Sequence, residues 1–285
     1  MILITGATGQ LGRLVIDALL KRTDASQIVA AVRNLDNAKD FAEKGIQLRL
    51  ADYDQPETLN TAFKGITKLL LISSSDMQNR QSQHHNVITA AKLAGIPFIA
   101  YTSLLNADSS PLALAADHIA TEKLLAESGI PHALLRNGWY TENYTMNIPM
   151  ALTHGVICGS SADGKYSTAP RLDYAEAAAV VLTSDKQAGK VYELAGDKAF
   201  TLSEYAAAVS KAAGQVIAYK DMPEAEFAQL LLGAGLPEGF ATLLANSEVG
   251  AAKGGLYSES RDLSRLIGRP TIALEDTIKA TLEGI

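Results

Sequence analysis

Ile2-Leu3-Ile4-Thr5-Gly6-Ala7-Thr8-Gly9-Gln10-Leu11-Gly12 is the stretch that decides the fold. Four residues of buried-strand type run into a turn with three glycines spaced three apart, and a helix of apolar periodicity begins at once. Glycine lacks a Cβ, so the backbone can pass through positive φ and come close to a pyrophosphate, while the free N–H groups of the next helix face the phosphate charge. The spacing gives Gly6 the turn, Gly9 the close approach of the phosphates, and Gly12 the packing of helix on strand. Ala7, Thr8, Gln10 and Leu11 complete the loop. Glycine-rich turns are common punctuation; the strand before and the helix after make this one a dinucleotide clamp.

Outward from the clamp, β-rich runs at 2–5, 27–33, 46–50, 68–72, 97–102 and 131–136 alternate with helical periodicity at 11–21, 36–44, 56–63, 80–94 and 112–128. This alternation predicts an α/β fold, a doubly wound Rossmann-type parallel sheet with helices on both faces. After Arg136 the rhythm changes: 137–147 is rich in aromatic and amide residues, and 155–167 in glycine and serine. Helical runs follow at 173–184, 202–213, 224–232, 240–253, 261–267 and 274–282, with short strands near 191–194 and 216–219. The organisation expected is a nucleotide-binding domain over 1–150, to which some later segments return, and a smaller, mostly helical lobe over 151–285. That lobe would cover the carboxyl ends of the sheet, where open α/β sheets bind ligands.

Composition narrows the class. No segment approaches the roughly eighteen apolar residues of a membrane span, and the opening apolar run lacks a basic leader. One cysteine, Cys158, excludes an intrachain disulfide and fits a reducing compartment, so a cytoplasmic location is expected. A net charge of −6 offers nucleic acid no attraction, and no basic run with interleaved aromatics is present.

The choice of nucleotide turns on the end of the second strand, where a carboxylate would accept the ribose 2′-hydroxyl of NAD. Here stands Arg33-Asn34. A guanidinium pairs bidentately with a 2′-phosphate. The next acid, Asp36, is three residues further on and placed to cap the following helix. NADP is therefore favoured, the alternative being that Arg33 is a solvated strand-end charge. After the third strand Asp52 could reach the adenine amino group, or act structurally, with Asp54 capping the helix at Pro56. After the fourth, Ser73, Ser74 and Ser75 place short hydroxyls and amides at the sheet's carboxyl edge, suited to a ribose or a pyrophosphate.

With Gly6-x-x-Gly9-x-x-Gly12, Val32-Arg33-Asn34, Asp52, Tyr101-Thr102-Ser103 and the string 121–131 leading to Leu134-Leu135-Arg136-Asn137, the chain resembles the short-chain dehydrogenase/reductase superfamily, in its atypical NmrA-like branch. Within that branch the stretches 69–75, 136–144 and 251–256 are similar to the bacterial NAD(P)H:quinone oxidoreductase 2 group, with the triphenylmethane reductases more distant. The resemblance implies that Asn137, Gly138, Trp139, Tyr140, Thr141 and Glu142 line the cofactor, with Trp139, Tyr140, Asn143 and Tyr144 toward the substrate. Arg171 would reach a cofactor phosphate or cap its helix, and Trp139 and Tyr144 could instead be anchors between the lobes.

The departure from the superfamily is informative. Its usual Tyr-x-x-x-Lys pair falls, in register with Glu122, on Leu114 and His118. A leucine cannot protonate an alkoxide, so ordinary alcohol–carbonyl chemistry is not expected, and Ser103 loses the partners that would give it a role. His84 and His85 are adjacent and diverge on a helix, and neither His132 nor His154 has zinc-ligand spacing, so no metal is expected. A quinone needs no tyrosine acid, because it takes a hydride and its oxygens can draw protons from water. The expected activity is NADPH-dependent reduction of a small planar acceptor, a quinone. The alternatives are an NADP(H)-sensing protein of the NmrA type and a reductase of another conjugated acceptor such as a dye.

Overall fold

The computed structural model describes residues 1–285. Seven strands, β1 (Ile2–Ile4), β2 (Ile28–Val32), β3 (Gln47–Leu50), β4 (Lys68–Leu71), β5 (Ile99–Leu104), β6 (His132–Asn137) and β8 (Val191–Leu194), form one parallel sheet in the order β3-β2-β1-β4-β5-β6-β8. The order reverses between β1 and β4, and the crevice beyond their carboxyl ends is where such sheets bind ligands.

Side chains alternate between two cores because the strand period is two. Ile2, Ile4, Ala30, Val32, Leu70, Ala100 and Leu135 pack under α1 (Gln10–Leu20), through Val15, Ile16 and Leu19, and under α8 (Arg171–Thr183), through Tyr174, Ala178 and Val181. Leu3, Val29, Leu69, Leu71, Ile99, Tyr101 and Leu134 meet Leu59 of α3 (Pro56–Ala62), Val87 and Ile88 of α4 (Arg80–Leu93) and Leu125 of α5 (Ala115–Ser128). A sheet covered on both faces reads as short continuous apolar runs, and each fully buried Leu or Ile contributes about 1.5–3 kcal/mol.

Past residue 150 the chain divides its elements. The helix α8, the strand β8 and α12 (Asp262–Ile267) return to the first core and the sheet. A third core holds Leu112, Ile148, Tyr166, Phe200, Leu202, Tyr205, Val209, Ala251 and Ile278, supplied largely by α7 (Ile148–His154), α9 (Leu202–Ala213), α11 (Glu238–Ala252) and α13 (Leu274–Glu283). No helix is long and apolar enough to cross a membrane.

Several expectations need correction. The serine- and glycine-rich stretch contains β7 (Val156–Gly159), paired in parallel with β9 (Ala218–Asp221), two residues beyond the strand expected at 216–219. The apolar run Val156-Ile157-Cys158 is masked by the glycines and serines on either side of it. The aromatic segment holds α6 (Glu142–Thr145) before α7. The helix expected from 112 starts at Ala115, because Leu112 is taken by the third core, against Gly250 and Gly255. Asp36 is not the cap after β2: the Asn34 carboxamide accepts the Asp36 N–H at 2.8 Å, and Asp36 pairs with Lys39. Nor does Asp54 cap α3, since its carboxylate accepts from the Gln83 amide at 3.0 Å and Gln55 holds the cap position.

Candidate cofactor and substrate site

The glycine turn sits at the switch point. Thr5 fixes it to the sheet: its hydroxyl donates to the Leu70 carbonyl at 3.0 Å and accepts the Ile72 N–H at 3.0 Å. Gly6 has φ +57, a left-handed conformation that favours glycine. At Gly12 a Cβ would fall 2.3 Å from the Gly6 carbonyl oxygen and 2.8 Å from the Ala7 Cα, so helix and turn can touch only with glycine there. Gly9 is the N-cap of α1; it supplies no side-chain cap and the first turn carries no acid, so its donors and dipole stay available to an anion.

Around this turn the expected residues lie along the sheet's carboxyl edge. Arg33 follows β2 and is exposed. Asp52 follows β3, where its carboxylate accepts from the Asp54 N–H at 3.1 Å and the Gln55 amide at 3.2 Å. The neighbouring Tyr53, which the sequence reading passed over, reaches across to the Ile72 carbonyl at 3.4 Å, and burial raises its phenol pKa. The three serines after β4 differ in what they offer. Ser73 gives its N–H to the Thr102 hydroxyl at 2.9 Å, and its own Oγ is buried without a partner. Ser74 is committed inward, its hydroxyl to Gln83 at 2.5 Å and its N–H to His84 Nε2 at 2.9 Å. Ser75 is exposed.

Beyond β6 the chain turns over the sheet. Asn137 is buried with its Oδ1 unpartnered. Gly138 is hemmed in by the Tyr174 hydroxyl, 3.0 Å from where its Cβ would be. Tyr140 packs edge-on to Tyr174 with centroids 5.3 Å apart, and the Arg171 guanidinium lies 4.4 Å from its ring centre. Thr141 bonds Thr168 at 2.8 Å. Arg171 is held on the spot: its N–H donates to Glu142 at 2.9 Å, and its guanidinium donates to Asn143 Oδ1 at 2.9 Å. Glu142 thus caps α8 from outside. Trp139 and Tyr144 pack on the third core, Tyr144 among Tyr166, Phe200 and Tyr205 with its hydroxyl buried and unpartnered. The open helix end, the glycine cradle and the orphaned Ser73 Oγ and Asn137 Oδ1 together fit a bound dinucleotide.

Beside the site lies a polar layer that sequence reasoning missed. His118, buried at the start of α5, bonds the Tyr101 hydroxyl through Nδ1 at 2.8 Å. His84 accepts from Ser74 at Nε2, so its Nδ1 carries the proton and donates to Thr121 at 2.8 Å. Burial, then the charge of Arg80, pushes both imidazoles down to about 3, and both are neutral. His85 is exposed, turned away from His84. Leu114 stands just before α5. Ser103 donates to Glu122 at 2.5 Å, and Glu122 with Asp108 and Glu193 surrounds the buried Arg136 at 2.6, 2.7 and 2.9 Å. An arginine inside a strand was the signal for this cluster, since a buried charge must be paired.

The sequence matches the NmrA-like family over residues 1–279. It is 55% identical over 278 residues to quinone oxidoreductase 2 of Escherichia coli strain K12, covering 98% of this chain and 97% of that protein. The crystal structure of the Escherichia coli NADPH-dependent quinone oxidoreductase complexed with NADPH superimposes with a TM-score of 0.97 at 55% identity, over 99% of this chain and 100% of that one. The triphenylmethane reductase of Citrobacter sp. complexed with NADP(H) gives a TM-score of 0.94 at 38% identity, over 99% and 100%. The chain belongs to the NmrA-like family.

Proposed function

We propose that this protein is an NADPH-dependent quinone oxidoreductase. The observation that carries the reading is an intact dinucleotide clamp at the N-terminus of α1, together with Leu114 just before α5, where the superfamily's proton-donating tyrosine would stand and which cannot donate a proton. NADPH supplies the hydride when bound. A quinone completes its reduction with protons from water, so the protein's task is to orient and enclose.

In this reading the loop Gly6 to Leu11 holds the pyrophosphate, Arg33 the 2′-phosphate, and Ser73 and Asn137 offer their unpartnered oxygens to the cofactor. Trp139, Tyr140 and Asn143 face the planar acceptor, and Tyr144 anchors their segment. Arg171 steadies both the Tyr140 ring and the Asn143 carboxamide; because Asn143 Oδ1 accepts from Arg171, its Nδ2 is left to donate to a quinone carbonyl. A cytoplasmic location goes with the single thiol, and the net charge of −6 argues against a nucleic-acid partner.

Stopped-flow oxidation of NADPH by a simple benzoquinone tests the activity. Rapid turnover by protein purified without flavin is expected; NADPH binding without turnover would defeat the enzymatic reading in favour of a sensor. A triphenylmethane dye in the same assay asks whether the acceptor site discriminates.

A further inference from the structure

Arg13, directly after Gly12 on α1, joins the phosphate turn to the segment beyond Arg33. Its Nε donates to the Thr8 carbonyl at 3.3 Å, its Nη1 pairs with Asp40 at 2.7 Å, and its Nη2 donates to the Asn37 carbonyl at 3.1 Å. The guanidinium also lies 4.8 Å from the ring centre of Phe41, which is buried in the first core. Arg33 therefore sits on a short arm fixed at one end by β2 and at the other by Arg13, with the Asn34 cap shaping the turn between. Arg33 itself is exposed and enters none of the ion pairs of the molecule.

We propose that Arg13 and Asp40 are positioning residues that set the preference for the 2′-phosphorylated dinucleotide. They hold the Arg33 arm at the separation from the glycine turn that the two phosphate groups of one ligand require. The inference rests on the reading that Arg33 grips the 2′-phosphate. A loop already ordered before binding loses no affinity to being ordered by it. The clamp also needs the arginine fork: three donors aimed at three acceptors cannot be reproduced by a lysine point charge.

A bare field effect is the competing role, and it parts from positioning at Asp40. Removing that carboxylate leaves more positive charge near the phosphate, so a field effect tightens NADPH, whereas loss of the clamp weakens it. Both side chains are partly exposed, 39% and 48%, so substitution leaves the fold standing, with the melting temperature as control.

Dissociation constants of NADPH, NADH, 2′,5′-ADP and 5′-ADP are measured for the wild type, Arg13→Gln, Arg13→Lys, Asp40→Asn and Arg33→Ala. The expected result is a loss of about tenfold for NADPH and 2′,5′-ADP in both Arg13 variants and in Asp40→Asn. NADH and 5′-ADP should change by less than about twofold, the remaining contacts being common to both ligands. Tighter NADPH binding by Asp40→Asn, or an unchanged ratio of NADH to NADPH affinity in these variants, overturns the proposal. Arg33→Ala separates the two layers: an unchanged ratio there defeats the assignment of Arg33, whereas a raised ratio there with Asp40→Asn unaffected defeats the clamp alone.

Discussion

Gly12 and Gly9 belong to one turn yet answer to different forces, and substitution tells them apart. An alanine Cβ at Gly12 lands 2.3 Å from the Gly6 carbonyl, among backbone atoms that cannot swing aside. Gly12→Ala is therefore expected to cost about 2–4 kcal/mol in a urea melt and to abolish NADPH binding with it. At Gly9 the nearest atom, again the Gly6 carbonyl oxygen, would be 3.2 Å away, a contact relieved by a shift of a few tenths of an ångström, so Gly9→Ala should lose much less stability than Gly12→Ala while losing NADPH affinity in a fluorescence titration. Normal NADPH affinity in Gly9→Ala would remove the phosphates from that position. These roles are legible in sequence because a tight turn and its helix are local. Roles that depend on distant partners are not: Arg136 needs Asp108, Glu122 and Glu193, and Arg13 needs Asn37 and Asp40, and no short spacing announces either set.

At the scale of elements, the inner strands of the sheet are readable to within a residue or two because burial on both faces leaves near-continuous apolar runs, and the more exposed edge strands β3 and β8 are readable from their place in the alternation with helices. β7 and α6 escape because each is four residues long and lies outside the β–α alternation, β7 in a stretch dominated by glycine and serine and α6 among aromatic and amide residues. The polar layer between β5, α4 and α5 escapes because its histidines look like surface residues of amphipathic helices. It has a measurable consequence. His84 and His118 titrate near 6.5 when unfolded and near 3 when folded, so the unfolded state binds protons first as the pH falls. Their stabilisation is complete above pH 6.5 and is lost between there and about 3, by about 2 kcal/mol for each histidine at pH 5. Urea melts at pH 7 and pH 5 should show this loss, and His118→Gln should shrink the difference by about half. Asp173 and Glu248, whose carboxyls are raised by burial, act in the opposite direction but equally in both proteins. An undiminished difference in His118→Gln would take His118 out of the account.

Across the whole molecule the chain weaves between its cores instead of finishing one before starting the next. α8, β8 and α12 return to the sheet, while α9 and α11 build the third core between those visits and α13 completes it after the last one. The segment between β5 and α5 is fastened to both parts: Asp108 pairs with Arg136 at 2.7 Å, the Ala113 N–H donates to Asn246 of α11 at 3.2 Å, and Leu112 fills the space kept open by Gly250 and Gly255. Two regions joined this way should unfold together, although the phosphate clamp lies wholly in the sheet. Trp139, the one tryptophan, packs on the third core and reports it, while far-UV circular dichroism reports the entire chain. The expected thermal melt has coincident transitions by the two probes. NADPH at a hundred times its dissociation constant should add about 2.7 kcal/mol and lift both by about 5 °C. A Trp139 transition that stays in place while the circular dichroism transition rises would mean that the third core opens on its own, and that the fastening at Leu112 and Arg136 does not carry the cofactor's stabilisation across.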